Sequence, residues 1–260
     1  MKEFKTRLLS SIVYSSLLIS SVFISSLSYV ILILFLCLLT IIEFQKFNKI
    51  RNLFSVFFLF TLCILTYFEL INYWIFNFIL IISLMSNTIL AILILFNKLK
   101  LNMFKKHLLL IMYLTLSSFF ILKIPFNETI FFEKKILLFL FIIWSNDTFA
   151  YIFGKLFGKT FLNKKISPKK TWEGLFFGIF NTIIIIYLMN IIYFKFDDFF
   201  IIITTICICV TSIVGDLTQS FFKRNAKVKN SGKLIPGHGG VFDRMDSMIF
   251  SAPFYYLIIN

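Results

Sequence analysis

Three carboxylates in the C-terminal part of the chain have types and spacing suited to chemistry. Asp216 closes an apolar run, IVGDLTQS, and Asp243 and Asp246 open the next one within FDRMD. A spacing of three residues places Asp243 and Asp246 on one face of a helix. An antiparallel return through residues 218–242 then brings Asp216 back beside them. Ionisable groups at membrane depth are costly and mark a site or a pathway. Three carboxylates drawn together repel one another unless cations neutralise them. Hard divalent ions such as Mg2+ take carboxylate and phosphate oxygens, often through one or two carboxylates plus substrate. The expected ion is therefore Mg2+, with a second cation left open; the bland alternative is pairing with Arg244 and the nearby lysines.

The stretch between these acids carries phosphate-binding equipment. Lys223, Arg224, Lys227, Lys229 and Lys233 supply positive charge, arginine as a bidentate fork and lysine as a point charge. In SGKLIPGHGGVFDRMD, Gly237, Gly239 and Gly240 allow close backbone approach and are expected to offer free N–H groups to anionic oxygens. His238 between them is a candidate to bind phosphate or move a proton. A second polar island, residues 154–174, ends in ISPKKTWEG. There Ser167 and Pro168 are expected to set a turn, Lys169 and Lys170 to add charge, and Thr171 to cap a helix whose N-terminus favours an anion. The pattern GxxxxGK[ST] is absent from the sequence, which argues against an ordinary ATPase.

These groups must be positioned by an unusually apolar chain. The 260 residues are 59% hydrophobic and 15% charged, and mean hydropathy is +0.93. Such numbers exclude disorder and a water-soluble domain and point to an all-α, polytopic integral membrane protein. Nine apolar segments are candidate spans, near 8–26, 28–44, 53–70, 72–96, 107–124, 131–152, 174–193, 199–217 and 245–259, the last of them short for a crossing. The first boundary, at Ser25–Ser28, is weak enough for one bent unit. No small-residue cleavage site follows the first run, so it reads as an uncleaved helix. The chain forms one domain, 1–260, with 1–124 mainly scaffold and 131–260 the catalytic half.

Charge sets the orientation. With a cytoplasmic N-terminus, 22 of the 26 basic residues fall on the inside and only Lys123, Lys134, Lys135 and Lys195 outside, as the positive-inside rule requires of nine crossings. The net charge of +14 is scattered between apolar segments, which suits an anionic leaflet or an anionic substrate better than nucleic acid. Of the remaining acids, Glu3, Glu43, Glu69, Glu128, Glu133, Asp197 and Asp198 read as solvated charges, while Asp147 and Glu173 join the C-terminal group. Cys37, Cys63, Cys207 and Cys209 lie in apolar runs without CxxC spacing and read as core- or lipid-facing thiols.

The run SFFKRNAKVKNSGKLIPGHGGVFDRMD closely resembles the signature of the phosphatidate cytidylyltransferase (CDP-diacylglycerol synthase) family. The matching positions are Ser220, Lys223, Arg224, Lys229, Gly232, Pro236, His238, Gly239, Gly240, Asp243, Arg244 and Asp246. SNDTFAYIFGKLFGK, ISPKKTWEG and the N-terminal FKTRLLSS are similar to further family motifs. Asn230 and Gln219 stand where the family pattern carries acids. The resemblance implies transfer of a cytidylyl group from CTP to phosphatidate, giving CDP-diacylglycerol and pyrophosphate. It implies Asp216 and Asp243 as primary metal ligands with Asp246 third, and Ser220, Lys223, Arg224, Lys229, Lys233, Gly239, Gly240, Arg244, Ser167, Lys169 and Lys170 around the substrates. It also implies a bacterial inner membrane, loops facing the cytoplasm, and a homodimer as an open option. A transporter with intramembrane aspartates would favour internal repeats, and the two halves are unlike.

Overall fold

A computed structural model describes the backbone of residues 2–127 and 130–260, and the side chains of these except Lys2–Lys5. Glu128, expected in a solvated loop, lies outside the described residues, as do the side chains of Glu3, Phe4 and Lys5. Each of the nine apolar segments is helical. Among the described residues, seven helices are long and apolar enough to cross a membrane. The other two are α3 (Leu53–Tyr67), which is shorter, and α10 (Phe242–Ile259), whose first turns carry charge.

The breaks follow from local chemistry. α1 (Lys2–Ile24) and α2 (Ser26–Asn48) are separate helices, because Ser25 and Ser28 form a reciprocal capping box between them. Asn52, Asn72 and Asn102 cap α3, α4 (Tyr73–Leu95) and α5 (Met103–Leu109), each accepting a backbone N–H of the first turn. α5 runs through a π-helical stretch, Leu110–Thr115, into α6 (Leu116–Lys123), and the three make one rod. A short antiparallel pair, β1 (Phe126–Asn127) with β2 (Ile130–Phe131), leads to α7 (Glu133–Phe157).

Next come β3 (Phe161–Asn163), β4 (Ser167–Thr171), α8 (Trp172–Met189) and α9 (Asp198–Asn225). Two sequence expectations are corrected here. Ser167 and Pro168 do not set a turn; they begin β4, paired antiparallel with β3, with Asn163 opposite Ser167. Thr171 does cap α8, accepting from Gly174 N at 3.2 Å. Secondly, α9 does not stop at residue 217 but runs on to Asn225, with Lys223 and Arg224 in its last turn, where cations favour the helix dipole. Residues Asp216, Gln219, Ser220 and Lys223 therefore lie three and four apart on one helical stripe.

Small residues let the C-terminal helices approach. A Cβ at Gly215 of α9 would lie 2.7 Å from Phe250 Cβ and 2.9 Å from the Asp246 carbonyl of α10, so the two backbones abut beside Asp216. Gly174 and Gly178 of α8 meet Ala150 and Gly154 of α7 in the same way. Buried aromatic rings complete the core under the site: Phe44 of α2 touches Phe222 of α9 and Phe242 of α10, and Tyr113 packs on Phe222. The N-terminal helices expose large apolar side chains such as Phe57, Trp74 and Phe78, as a lipid-facing surface requires. All four cysteines are free, and Cys37 and Cys209 are buried.

Candidate active site

A cavity of about 430 Å³ opens between β4, α7, α8, α9, α10 and the loop of residues 226–241. Its walls include Asp216, Asp243, Asp246, His238, Lys223, Arg244, Ser167, Lys169 and Lys170, nine of the residues singled out in the sequence. Asp147, Gln219 and Asn230 also line it. A second cavity of about 380 Å³ lies on the α1 side, bordered by Ser10, Tyr14, Ile143 and Trp144. Asp147, His238, Asp243, Arg244, Asp246 and Ser247 border both and form their common wall.

The three carboxylates have different surroundings. Asp216 accepts Lys170 Nζ at 2.7 Å on one oxygen and Ser220 Oγ at 3.2 Å on the other. Asp246 is buried, accepts the Ser247 N–H at 2.9 Å, and has no ion-pair partner among the described residues. Asp243 is fully engaged. Its Oδ1 accepts Lys223 Nζ at 2.7 Å and Gln219 Nε2 at 2.9 Å; its Oδ2 accepts Ser231 N at 2.9 Å, Gly240 N at 3.0 Å and Ser231 Oγ at 3.1 Å. Four of these are N–H donors, enough for the roughly four lone-pair sites of a carboxylate, while the one Ser231 hydroxyl proton is shared with Glu43. Asp243 thus pins the loop to α9.

Among the described residues, no group of three or more His, Cys, Asp or Glu side chains is disposed to hold a metal ion. Lys170 and Lys223 stand as the charged partners of Asp216 and Asp243. The donor chemistry still fits a hard divalent ion bound through fewer carboxylates and substrate oxygens. Asp216 and Asp246 sit on abutting helices and retain unfilled lone pairs.

The glycine loop also differs from expectation. Gly239 N donates to the Ile235 carbonyl and Gly240 N to Asp243, so neither amide is free for an anion. Gly237 and Gly239 have φ of +76° and +104°, which the tight turn requires. His238 is held by its Nδ1 at 2.7 Å from Ser10 Oγ, whose hydroxyl also reaches the Pro236 carbonyl at 2.9 Å. Burial, with the charges of Arg244 and Arg7, holds the imidazole below its usual pKa, leaving it neutral at pH 7.

Ser220 supports Asp216 instead of facing the cavity, and Arg224 Nε reaches the Ile166 carbonyl at 3.5 Å behind the β3–β4 hairpin. Lys229 and Lys233 are exposed and outside the cavity lining. Glu173 accepts the amides of Lys159 and Thr160 at 3.1 Å and stays apart from the other carboxylates. Glu43 is not a solvated charge. It is 5% exposed and reaches the loop from α2. Its sequence signal is an acid set inside the apolar run TIIEF, before the basic cluster that ends the span. Asp147, suspected from SNDTFA without a role, is open to both cavities.

Comparison with known proteins places these residues in context. The profile described as "Cytidylyltransferase family" matches residues 5–260. A protein named phosphatidate cytidylyltransferase from Rickettsia typhi is 42% identical over 154 residues, covering 54% of this chain and 68% of that protein. The protein of the same name from Rickettsia bellii is 40% identical, covering 57% of this chain and 69% of its own length. That from Haemophilus influenzae is 40% identical over 46% of this chain and 44% of its own.

Proposed function

The chain belongs to the cytidylyltransferase family, and from that premise we propose that it is a phosphatidate cytidylyltransferase, making CDP-diacylglycerol and pyrophosphate from CTP and phosphatidate. The observation that carries this reading is the pair of cavities meeting at one wall of Asp147, Asp246, Arg244 and His238, with lysines beside it. The lysine-lined cavity suits the triphosphate. The cavity beside α1 suits a lipid phosphate, since Leu8, Leu9, Ile12 and Val13 of that helix present an exposed apolar surface to the bilayer.

In the reaction a phosphatidate oxygen bonds to the α-phosphorus of CTP, and the α–β bridging bond breaks in line, releasing pyrophosphate. The phosphatidate oxygen is already ionised near neutral pH, so no dedicated base is needed. Both reactants are anions, and catalysis is mainly positioning and charge stabilisation. Lys169 and Arg244 line the cavity and neutralise phosphate charge; Lys170 and Lys223 are held by Asp216 and Asp243 at its wall. Mg2+ would be held by Asp216 and Asp246 with substrate oxygens, where it would offset the charge of the triphosphate. Asp243 keeps the loop and α10 in place.

The bilayer is that of a bacterial plasma membrane, with the N-terminus and the site on the cytoplasmic side, because 22 of the 26 basic residues then lie inside. Phosphatidate-dependent release of pyrophosphate from CTP by purified protein in detergent tests the function. Release that ignores the lipid, or none at all, rejects it.

A further inference from the structure

The N-terminal helices, read from sequence as scaffold, send one carboxylate into the loop that borders the site. Glu43 lies near the end of α2 and is buried. A buried carboxylate is destabilising unless donors surround it. Here Oε1 accepts the Val241 N–H at 3.0 Å, while Oε2 accepts the Phe242 N–H at 3.0 Å and Ser231 Oγ at 2.7 Å.

Val241 and Phe242 are the cap and first residue of α10, and no side chain of that helix caps them. The first N–H groups of a helix lack intrahelical partners and carry partial positive charge. Glu43 supplies the missing cap from another helix. Within this first turn and at the start of the next, α10 carries Asp243, Arg244 and Asp246. Ser231 joins the two carboxylates: its single hydroxyl proton is shared between Glu43 Oε2 at 2.7 Å and Asp243 Oδ2 at 3.1 Å, and its N–H goes to Asp243 Oδ2 at 2.9 Å. Two glycines of the loop fit this packing: a Cβ at Gly232 would stand 2.4 Å from Glu43 Oε1, and one at Gly240 2.2 Å from Oε2.

We propose that Glu43 is a positioning residue for the transfer reaction: it fixes the start of α10 and the 231–240 loop, and so sets where Arg244 and Asp246 meet the substrates. This rests on the function proposed above. Shortening the side chain or removing its charge would leave every substrate-facing residue in the chain but shift the turn that holds them. Displacement of about 1 Å is enough to reduce turnover about 10²-fold.

The test compares wild type, Glu43→Gln and Ser231→Ala in detergent, by amide hydrogen exchange over residues 230–243 and by kcat and KM for CTP on monodisperse, folded protein. An amide at position 43 sets a donor against the donors of Val241, Phe242 or Ser231. The expected result is faster exchange at Val241 and Phe242, kcat lowered about 10²-fold, and a KM for CTP changed by no more than about threefold. Ser231→Ala, which removes one donor, should show the same pattern at about tenfold in kcat, and it decides the matter if Glu43→Gln does not fold. Unchanged exchange overturns the proposal. So does a lower melting temperature with undiminished kcat, since Glu43 would then serve stability alone. A wild type without turnover removes the functional reading instead, while the exchange comparison still decides whether Glu43 holds the loop.

Discussion

Asp243→Asn separates a carboxylate that holds the site together from one that binds an ion. The substitution keeps shape but leaves one acceptor oxygen and adds a donor. If the oxygen turns toward Ser231 and Gly240, the new NH2 faces Lys223 Nζ and Gln219 Nε2, which now stand 2.7 and 2.9 Å from the carboxylate. The reverse orientation sets it against two amides and a hydroxyl. In either case a lysine whose side chain is 15% exposed loses the negative charge of a partner whose side chain is 8% exposed. Removing one member of a buried pair costs about 3–5 kcal/mol. The adjoining cavity gives Lys223 some access to water, which favours the lower end, about 3 kcal/mol. That corresponds to about 10²-fold in the opening equilibrium of the loop. The assay is amide exchange at Ser231 and Gly240 together with thermal melting, without metal or substrate. Asp243→Asn should accelerate exchange by about that factor and melt earlier, whereas Asp246→Asn should lose turnover with the loop still protected. Wild-type melting and exchange in Asp243→Asn would refute the pinning role.

Three further outcomes follow from the same geometry. Gln219→Glu would set a second carboxylate against Asp243 Oδ1, so the variant should melt below wild type without divalent ions and regain stability with Mg2+; a melting temperature indifferent to Mg2+ would contradict the like-charge argument. His238 has a folded pKa held below 6.5, so the unfolded chain takes up a proton first as pH falls. Stability should then decline as pH drops through 6.5 toward the folded value, and this component should vanish in His238→Asn; equal pH slopes in both proteins would remove it. For topology, Lys233→Cys and Lys165→Cys in a cysteine-free background should react with an impermeant thiol reagent only in opened cells, because both positions are exposed and lie in loops assigned to the cytoplasm. Labelling of intact cells would reverse the orientation.

Much of this molecule is legible along a single helix. Apolar runs bounded by charge gave the helices, and the three-residue step from Asp243 to Asp246 gave two residues of one face. Thr171 as a cap follows from local chemistry in the same way. What crosses between elements is not written in spacing. That Lys170 meets Asp216 depends on a hairpin in which Ser167 and Pro168 form a strand. That the Gly239 and Gly240 amides are used internally depends on a turn closed by Ile235 and on Asp243 folding back. Glu43 is the least legible, since its partners lie about 190 residues away and a position near a span's end suits a solvated acid equally well.

The central claim is that this chain joins CTP to phosphatidate, and the most direct measurement follows the label. Purified protein, Mg2+ and phosphatidate are incubated with CTP labelled in the α-phosphate or, separately, in the γ-phosphate, and lipid is extracted. The account predicts α-label in the lipid phase, strictly dependent on phosphatidate, with γ-label remaining in water as pyrophosphate, and neither in Asp246→Asn. Failure of the α-label to enter the lipid, or transfer of the γ-label instead, would contradict it.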